Sequence, residues 1–411
     1  MKKKWVLFLT LSLSLWACTP SNNTTSNPDA NTGNDTPQAI ETPSLERTDF
    51  MTGLSNPWDM AFLPDGTLFF TEKCRGLSVR RSDGVIARLF TTSGSTFPVN
   101  DLVCMGHSGM LGVALDPDFA NNRLIYVYMA SSLGGAGTTN RVTRLKLDPT
   151  LTSASERTDI ITDIPFKRTA NTWGGAGMHS GGRIRFGPDG FLYVTTGDNH
   201  SGTIPQDLSS LGGKVLRVDR NGSAAPGNNT PHGGDPRIYA YGFRNPQGLT
   251  FKPDSGRPFI AEHGPEHSDE ITALSPGGNG GWDPKPEAGV SCADNYCGYI
   301  SNKLSGIPTP MTDLQKFPDA LPPALQIPDS AGMSPGLFLV GSEWKAWNGR
   351  FAVGFLSGGV VNIVQFSSDT STAEMITTNL PVERFRSLVQ GPDGNLYVAI
   401  DQGAIWKVIP H

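Results

Sequence analysis

Histidine, arginine and asparagine recur at one phase of this chain. His107 precedes SGMLGVALDPDF, His179 precedes SGGRIRFGPDG, Arg244 and Asn245 precede PQGLTFKPD, and Arg384 with Arg386 open the stretch ending in GPDG at Gly394. Each stands at the head of a short apolar run that ends in a Pro-Asp turn. Polar residues scattered over a surface would not keep phase with a repeat, so these side chains are expected to share a site. Imidazoles titrate near neutrality and can take up and release protons. Guanidinium groups are permanent cations with a rigid fork of donors. The run after His179 is followed, after a second strand, by Asp198 in TTGD. A hairpin returns its two ends to the same place, so His179 and Asp198 can meet. Alternate spacing puts Arg384 and Arg386 on one face of a strand.

The elements that must hold these groups are read from the same repeats. Each is an apolar strand, a turn at Pro64, Pro117, Pro188, Pro253 or Pro392, and a second apolar strand. Proline presets one turn position, and Asp or Gly closes it. The turns lie 53, 71, 65 and 139 residues apart. The last gap is about two periods, and Ser334–Phe366 has the strands of a missing copy without its turn motif. Six strand-rich units, none able to bury its faces alone, predict an all-β, six-bladed β-propeller. The first strand of a blade lines the central channel, so residues just before it face one mouth. A proline-rich insert at about 279–330 is expected over one face. Low charge (17 %), with 48 glycines and 32 prolines, fits a turn-rich β protein. A net charge of −5 without a basic block offers nothing for nucleic acid.

Lys2–Lys4 followed by WVLFLTLSLSLWA reads as a signal peptide over residues 1–17, too short to span a membrane well. Leu15-Trp16-Ala17-Cys18 resembles the bacterial lipobox, which implies lipidation of Cys18 and a cell-envelope location facing the periplasm. Residues 18–44 are polar and read as a disordered tether, with the propeller at 45–411. Setting Cys18 aside leaves Cys74, Cys104, Cys292 and Cys297. Four cysteines allow three pairings; the local pair Cys292–Cys297 is the natural one, and Cys74–Cys104 then follows.

HSGGRIRFGPDGFLYVTTGD, IYAYGFRNPQGLTF, AEHGPEHSDEI and RFRSLVQGPDGNLYVAID closely resemble the soluble PQQ-dependent aldose dehydrogenases of the glucose/sorbosone dehydrogenase family, in the family's order, from about Leu54 to the C-terminus. The resemblance implies a sugar oxidised at C1 to the lactone, with PQQ and Ca²⁺ as cofactors and an electron acceptor it does not identify. It implies His179 as general base, Asp198 as the carboxylate that orients it, and Arg244 at the quinone oxygens beside Asn245. It also implies Arg384 and Arg386 as contacts to the cofactor from the last blade. The carbonyls of Gly264 and Pro265 would meet calcium, with Glu262, Asp269 and Glu270 supplying negative charge nearby as direct or outer-shell partners of the metal, Glu262 first among them. Three positions depart from the pattern: Ser357 stands where a lysine is common, His107 where a glutamine or acid is common, and Gly280 where a tyrosine is expected. His263 and His267 have a zinc-like spacing, but Gly264-Pro265 between them prevents the helical turn such pairs use. A calcium-dependent propeller lactonase or esterase and a non-catalytic carbohydrate-binding propeller remain the rival classes.

Overall fold

At three of the Pro-Asp turns, the aspartate accepts the amide two residues on. Asp65 Oδ1 takes Thr67 N–H at 2.9 Å, Asp189 takes Phe191 at 3.2 Å and Asp393 takes Asn395 at 3.3 Å. One backbone bond then closes each hairpin: Leu63 to Thr67, Asp116 to Leu124, Gly187 to Phe191, Lys252 to Arg257 and Gly391 to Asn395, all 2.8–3.0 Å. The second turn is longer and holds the single helical turn Phe119–Asn122.

The computed structural model describes residues 41–134, 137–168, 174–302 and 306–411. The expected signal peptide, the Cys18 lipid site and tether residues 19–40 lie outside them. The strands form six sheets, the blades of a β-propeller. Their innermost strands are Pro57–Phe62, Met110–Leu115, Ile184–Phe186, Pro246–Phe251, Met333–Phe338 and Phe385–Gln390. Each contacts the innermost strands of both neighbours, which closes the ring. The fifth blade is the copy that lacks the turn motif. In the sixth, Leu45–Met51 from the N-terminal side pairs antiparallel with Ala404–Pro410. The end of the expected tether is already docked, since Ser44 N–H bonds His411 O at 3.0 Å and Glu41 O accepts Ala346 N–H at 3.0 Å.

The outer strand of blade four is Leu325–Asp329, paired with His267–Ala273. The span expected as an insert therefore contains a propeller strand, and the segment that leaves the sheets is 280–324. In five blades the innermost pair slips register near the mouth, between Pro57 and Asp59, Met110 and Val113, Pro246 and Gly248, Met333 and Gly336, and Phe385 and Ser387. Bulges of this kind re-aim side chains, and here they sit where the polar residues enter the mouth. Between blades the core is apolar; Trp344, Trp347, Phe385 and Trp406, for example, pack between blades five and six. Both disulfides, Cys74–Cys104 and Cys292–Cys297, are formed.

Candidate active site

His179 adopts a left-handed backbone, φ +47°, ahead of Gly181 and Gly182. This turns its ring back toward the hairpin's other end, where Nδ1 meets Asp198 Oδ1 at 2.7 Å. Both side chains are buried. Asp198 Oδ1 also accepts His200 N–H at 2.9 Å, and Oδ2 accepts Trp282 Nε1–H at 2.8 Å. An acceptor with all its neighbours donating keeps the imidazole proton on Nδ1, which leaves Nε2 as the basic nitrogen. Burial holds the His179 imidazole well below its usual range, and Arg244 adds to this, so the ring is neutral near pH 7. Burial raises Asp198, opposed by His200 and Arg244.

His107 lies parallel to His179, ring centroids 5.9 Å apart, and its Nδ1 accepts the His179 amide at 3.4 Å. Burial and then Arg386 hold it down to about 3.

Arg244 is buried and fully oriented. Nε donates to Tyr296 OH at 3.1 Å, Nη2 to Tyr299 OH at 3.1 Å and Nη1 to His263 O at 2.7 Å. Asn245 Oδ1 accepts Gly181 N–H at 3.0 Å, which ties blade four to the His179 loop. Its Nδ2 is buried without a hydrogen-bond partner among the described residues. Glu262 Oε1 accepts the amides of Arg244 and Asn245, the latter at 2.9 Å. Burial, with Glu270 behind it, pushes this carboxyl up to about 8. Glu262 thus braces the Arg244-Asn245 backbone.

Arg384 and Arg386 share Asp401: Arg384 Nε reaches Oδ2 at 3.2 Å, and Arg386 Nε and Nη2 reach the two oxygens at 2.9 and 2.8 Å. Arg386 also donates to Gln247 Oε1 at 3.1 Å. Ser357 is exposed, and its amide bonds Ala331 O at 2.8 Å. Gly264 N–H donates to Asp269 Oδ1 at 2.8 Å, and Asp269 Oδ2 takes the amides of Ala331 and Met333, both at 2.9 Å. Asp269 is therefore occupied in shaping the Gly264-Pro265 loop. Glu270 is likewise engaged by Gln326 and Thr312, at 2.6 and 2.8 Å.

The structure brings His107, His179, Asp198, Arg244 and Asn245 into one cluster, with Arg384, Arg386 and the Gly264 loop around it. Sequence reasoning missed four participants. Lys73, half-buried, donates to Gly106 O at 2.8 Å and adds a cation from blade one beside His107. Trp282, Tyr296 and Tyr299 arrive from segment 280–324. The signal for the tyrosines was their position astride Cys297, in NYCGY. At Gly280, where the family resemblance expects tyrosine, a Cβ would lie 2.4 Å from the Phe243 ring. Phe243 fills that space, and the tyrosines come from further along the chain.

The chain is similar over most of its length to known proteins. The chain is 29 % identical over 366 residues to aldose sugar dehydrogenase YliI of Escherichia coli, covering 87 % of this chain and 91 % of that protein. It is 25 % identical over 433 residues to quinoprotein glucose dehydrogenase B of Acinetobacter calcoaceticus, over 87 % and 86 % of the two. The crystal structure of the soluble aldose sugar dehydrogenase of E. coli in its apo-form matches with a TM-score of 0.74 and 26 % identity, over 90 % of this chain and 100 % of that one. With residues 54–407 matching its pattern, the chain belongs to the Glucose / Sorbosone dehydrogenase family.

Proposed function

We propose that the protein oxidises an aldose at C1 to the lactone, with pyrroloquinoline quinone (PQQ) and calcium as cofactors and an external acceptor for the electrons. The observation that carries this reading is the buried His179–Asp198 pair, at 2.7 Å, inside a mouth lined by cations. The names of two relatives, an aldose sugar dehydrogenase and a quinoprotein glucose dehydrogenase, support it.

The donor set fits a tricarboxylated quinone. Lys73, Arg244, Arg384 and Arg386 stand around imidazoles that carry no charge near pH 7. The buried Asn245 Nδ2 has a donor to give. For calcium the fit is partial. The ion takes about six to eight oxygens, and no cluster of three His, Cys, Asp or Glu converges among the described residues. The carbonyls of Gly264 and Pro265 would hold it only together with cofactor oxygens and water, with Glu262 left to its amides.

When bound, PQQ supplies the hydride-accepting quinone. His179 Nε2 takes the proton of the C1 hydroxyl as the C1 hydride leaves the sugar, and the carbonyl of the lactone forms. Asp198 keeps Nδ1–H in place and stabilises the imidazolium, as in other His–carboxylate pairs. Arg244 contributes fixed positive charge where negative charge accumulates, at a site already organised before reaction.

The lysine-rich n-region, the apolar stretch and Cys18 support attachment to the cell envelope, facing the periplasm. The test of function is reconstitution: purified protein with PQQ, Ca²⁺, a dye acceptor and a panel of aldoses. Dye reduction should require PQQ, and His179→Ala should bind PQQ yet turn over roughly 10²–10⁴-fold more slowly. No PQQ-dependent oxidation of any aldose, or full activity in His179→Ala, would overturn the reading.

A further inference from the structure

Segment 280–324 carries a hydrophobic cluster of Trp282, Tyr296 and Met311 with Tyr299 against it. Its polar atoms point into the site. Trp282 Nε1–H holds Asp198 Oδ2 at 2.8 Å, Tyr296 OH holds Arg244 Nε at 3.1 Å, and Tyr299 OH holds Arg244 Nη2 at 3.1 Å. Tyr299 OH also pairs with His200 Nε2 at 2.9 Å, and the His200 ring lies edge-on to His179 with centroids 3.7 Å apart. Both members of the acid–base and charge machinery outside His179 are thus held by one segment that belongs to no blade.

That segment is itself fixed. Cys297, next to Tyr296, is bridged to Cys292, and its amide bonds Pro284 O at 2.7 Å. A Cβ at Gly298 would lie 2.8 Å from the Tyr296 ring and 2.9 Å from Trp282, so only glycine lets the chain pass between Tyr296 and Tyr299. Trp282 N–H bonds Gly242 O at 3.0 Å, and Gln206 Nε2 bonds Trp282 O at 3.0 Å, anchoring the cluster to blade three. Rotamers locked by packing are what a site needs from the residues behind it. Of the five guanidinium N–H groups of Arg244, two remain without a partner among the described residues once Tyr296, Tyr299 and the His263 carbonyl are served.

We propose that the bridged segment is the positioning device of the site: Trp282 sets the carboxylate of Asp198, and the hydroxyls of Tyr296 and Tyr299 set the guanidinium of Arg244 so that its free donors face an incoming group. This rests on the catalytic reading of His179, Asp198 and Arg244. Trp282, Tyr296 and Tyr299 are positioning residues, and their hydroxyls and indole N–H act through those groups.

The test removes the polar atoms and keeps the rings. Trp282→Phe, Tyr296→Phe, Tyr299→Phe and the double tyrosine variant are compared with Met311→Leu, a packing control in the same cluster. In apo-protein, NMR hydrogen exchange of the Arg244 Nε–H, identified by its absence in Arg244→Lys, should speed up about tenfold or more in the double tyrosine variant. In protein loaded with PQQ and calcium, kcat should fall about tenfold in Tyr296→Phe and in Trp282→Phe, with the sugar KM within about twofold. Melting temperatures and the Met311→Leu protein should stay near wild type. Unchanged exchange, or accelerated exchange with unchanged kcat, overturns the proposal, as does a fall in kcat matched by Met311→Leu. Should wild type oxidise no sugar with PQQ, the functional reading fails, and the exchange comparison in apo-protein alone decides the positioning claim.

Discussion

Arg183 Nη1 stands 2.6 Å from Asp59 Oδ1, and neither side chain reaches solvent. The pair joins the third blade to the first across the channel, below the mouth that His179 occupies. Arg185 Nη1 adds a second bridge to Asp59 at 2.7 Å, the Ser387 hydroxyl donates at 3.0 Å and the Val113 amide at 3.0 Å. Four blades therefore meet on one carboxylate, and the Arg183 guanidinium stacks 4.1 Å from the Trp58 ring.

Removing that charge strands two arginines, one of them wholly buried. Asp59→Asn should cost about 3–5 kcal/mol of stability, the usual result of breaking a buried pair. Chemical denaturation measures it, and an unchanged midpoint would contradict the assignment. The pair also predicts acid behaviour. Burial pushes Asp59 up, but Arg183 and Arg185 outweigh it and hold the carboxyl at about 2. The folded value lies below the unfolded one, so the stabilisation is complete above about pH 4 and is lost as pH falls from about 4 toward 2. It amounts to about 2 kcal/mol. Asp59→Asn should flatten that acid limb.

Asp198 accepts from His179, His200 and Trp282 on its two oxygens. An amide cannot do this, because its NH₂ must face at least one of those donors. Asp198→Asn should lower the oxidation rate about 10²-fold or more and destabilise by about 1–3 kcal/mol. Steady-state kinetics and thermal melts check both, and a variant with normal rate and stability would refute the role.

Ser357 is exposed, and its backbone lies close to His263 through Gly332. A lysine there adds a cation at the mouth without displacing a packed side chain. Ser357→Lys should tighten PQQ binding about fivefold, the scale of one partly exposed ion pair, and leave the order of preferred sugars unaltered. Fluorescence titration of apo-protein reads the affinity; weaker binding would show that the mouth has no room for further positive charge.

On the proposed reading, calcium would be held by the Gly264 and Pro265 carbonyls together with the cofactor and would be a ligand of the native state only. Chelation should therefore lower the melting temperature of PQQ-loaded protein, by mass action, and leave apo-protein unaffected. Identical melts of loaded protein with and without chelator would remove the metal from the proposal.

Much of the frame was legible because it is written in local chemistry. A Pro-Asp turn needs only its own residues, so the inner hairpins of blades one, two, three, four and six could be read along the chain, and the phase of His107, His179, Arg244 and Arg384 followed. Blade five was found by its strands alone. What stayed hidden depends on distant partners. Leu325–Asp329 looks like loop, with Pro328 and a largely exposed face, because an edge strand has only one neighbour to satisfy. Trp282 meets Asp198 across 84 residues and Tyr296 meets Arg244 across 52, from a segment without periodicity. Glu262 reads as a partner of the metal by charge and neighbourhood; only the fold shows one of its oxygens, Oε1, turned to two backbone amides.

The pairing of Leu45–Met51 with Ala404–Pro410 sets an order of assembly. The four antiparallel strands of each of blades one to five follow one another along the chain and can form as it lengthens, although blade three also takes Gly278–Asn279 as a parallel edge from beyond the third strand of blade four. The sixth cannot, since its outer strand is among the first to be made and its partner among the last. Such a contact, at the far end of sequence separation, comes late and bears a large loop-closure cost. Until the inner strand of blade six is made, blade one lacks one neighbour and Asp59 lacks the Ser387 hydroxyl. A growing chain therefore holds most of its sheets but no finished mouth until blade six closes the ring against blade one, and the pairing of the early strand with the late one then fastens that closure.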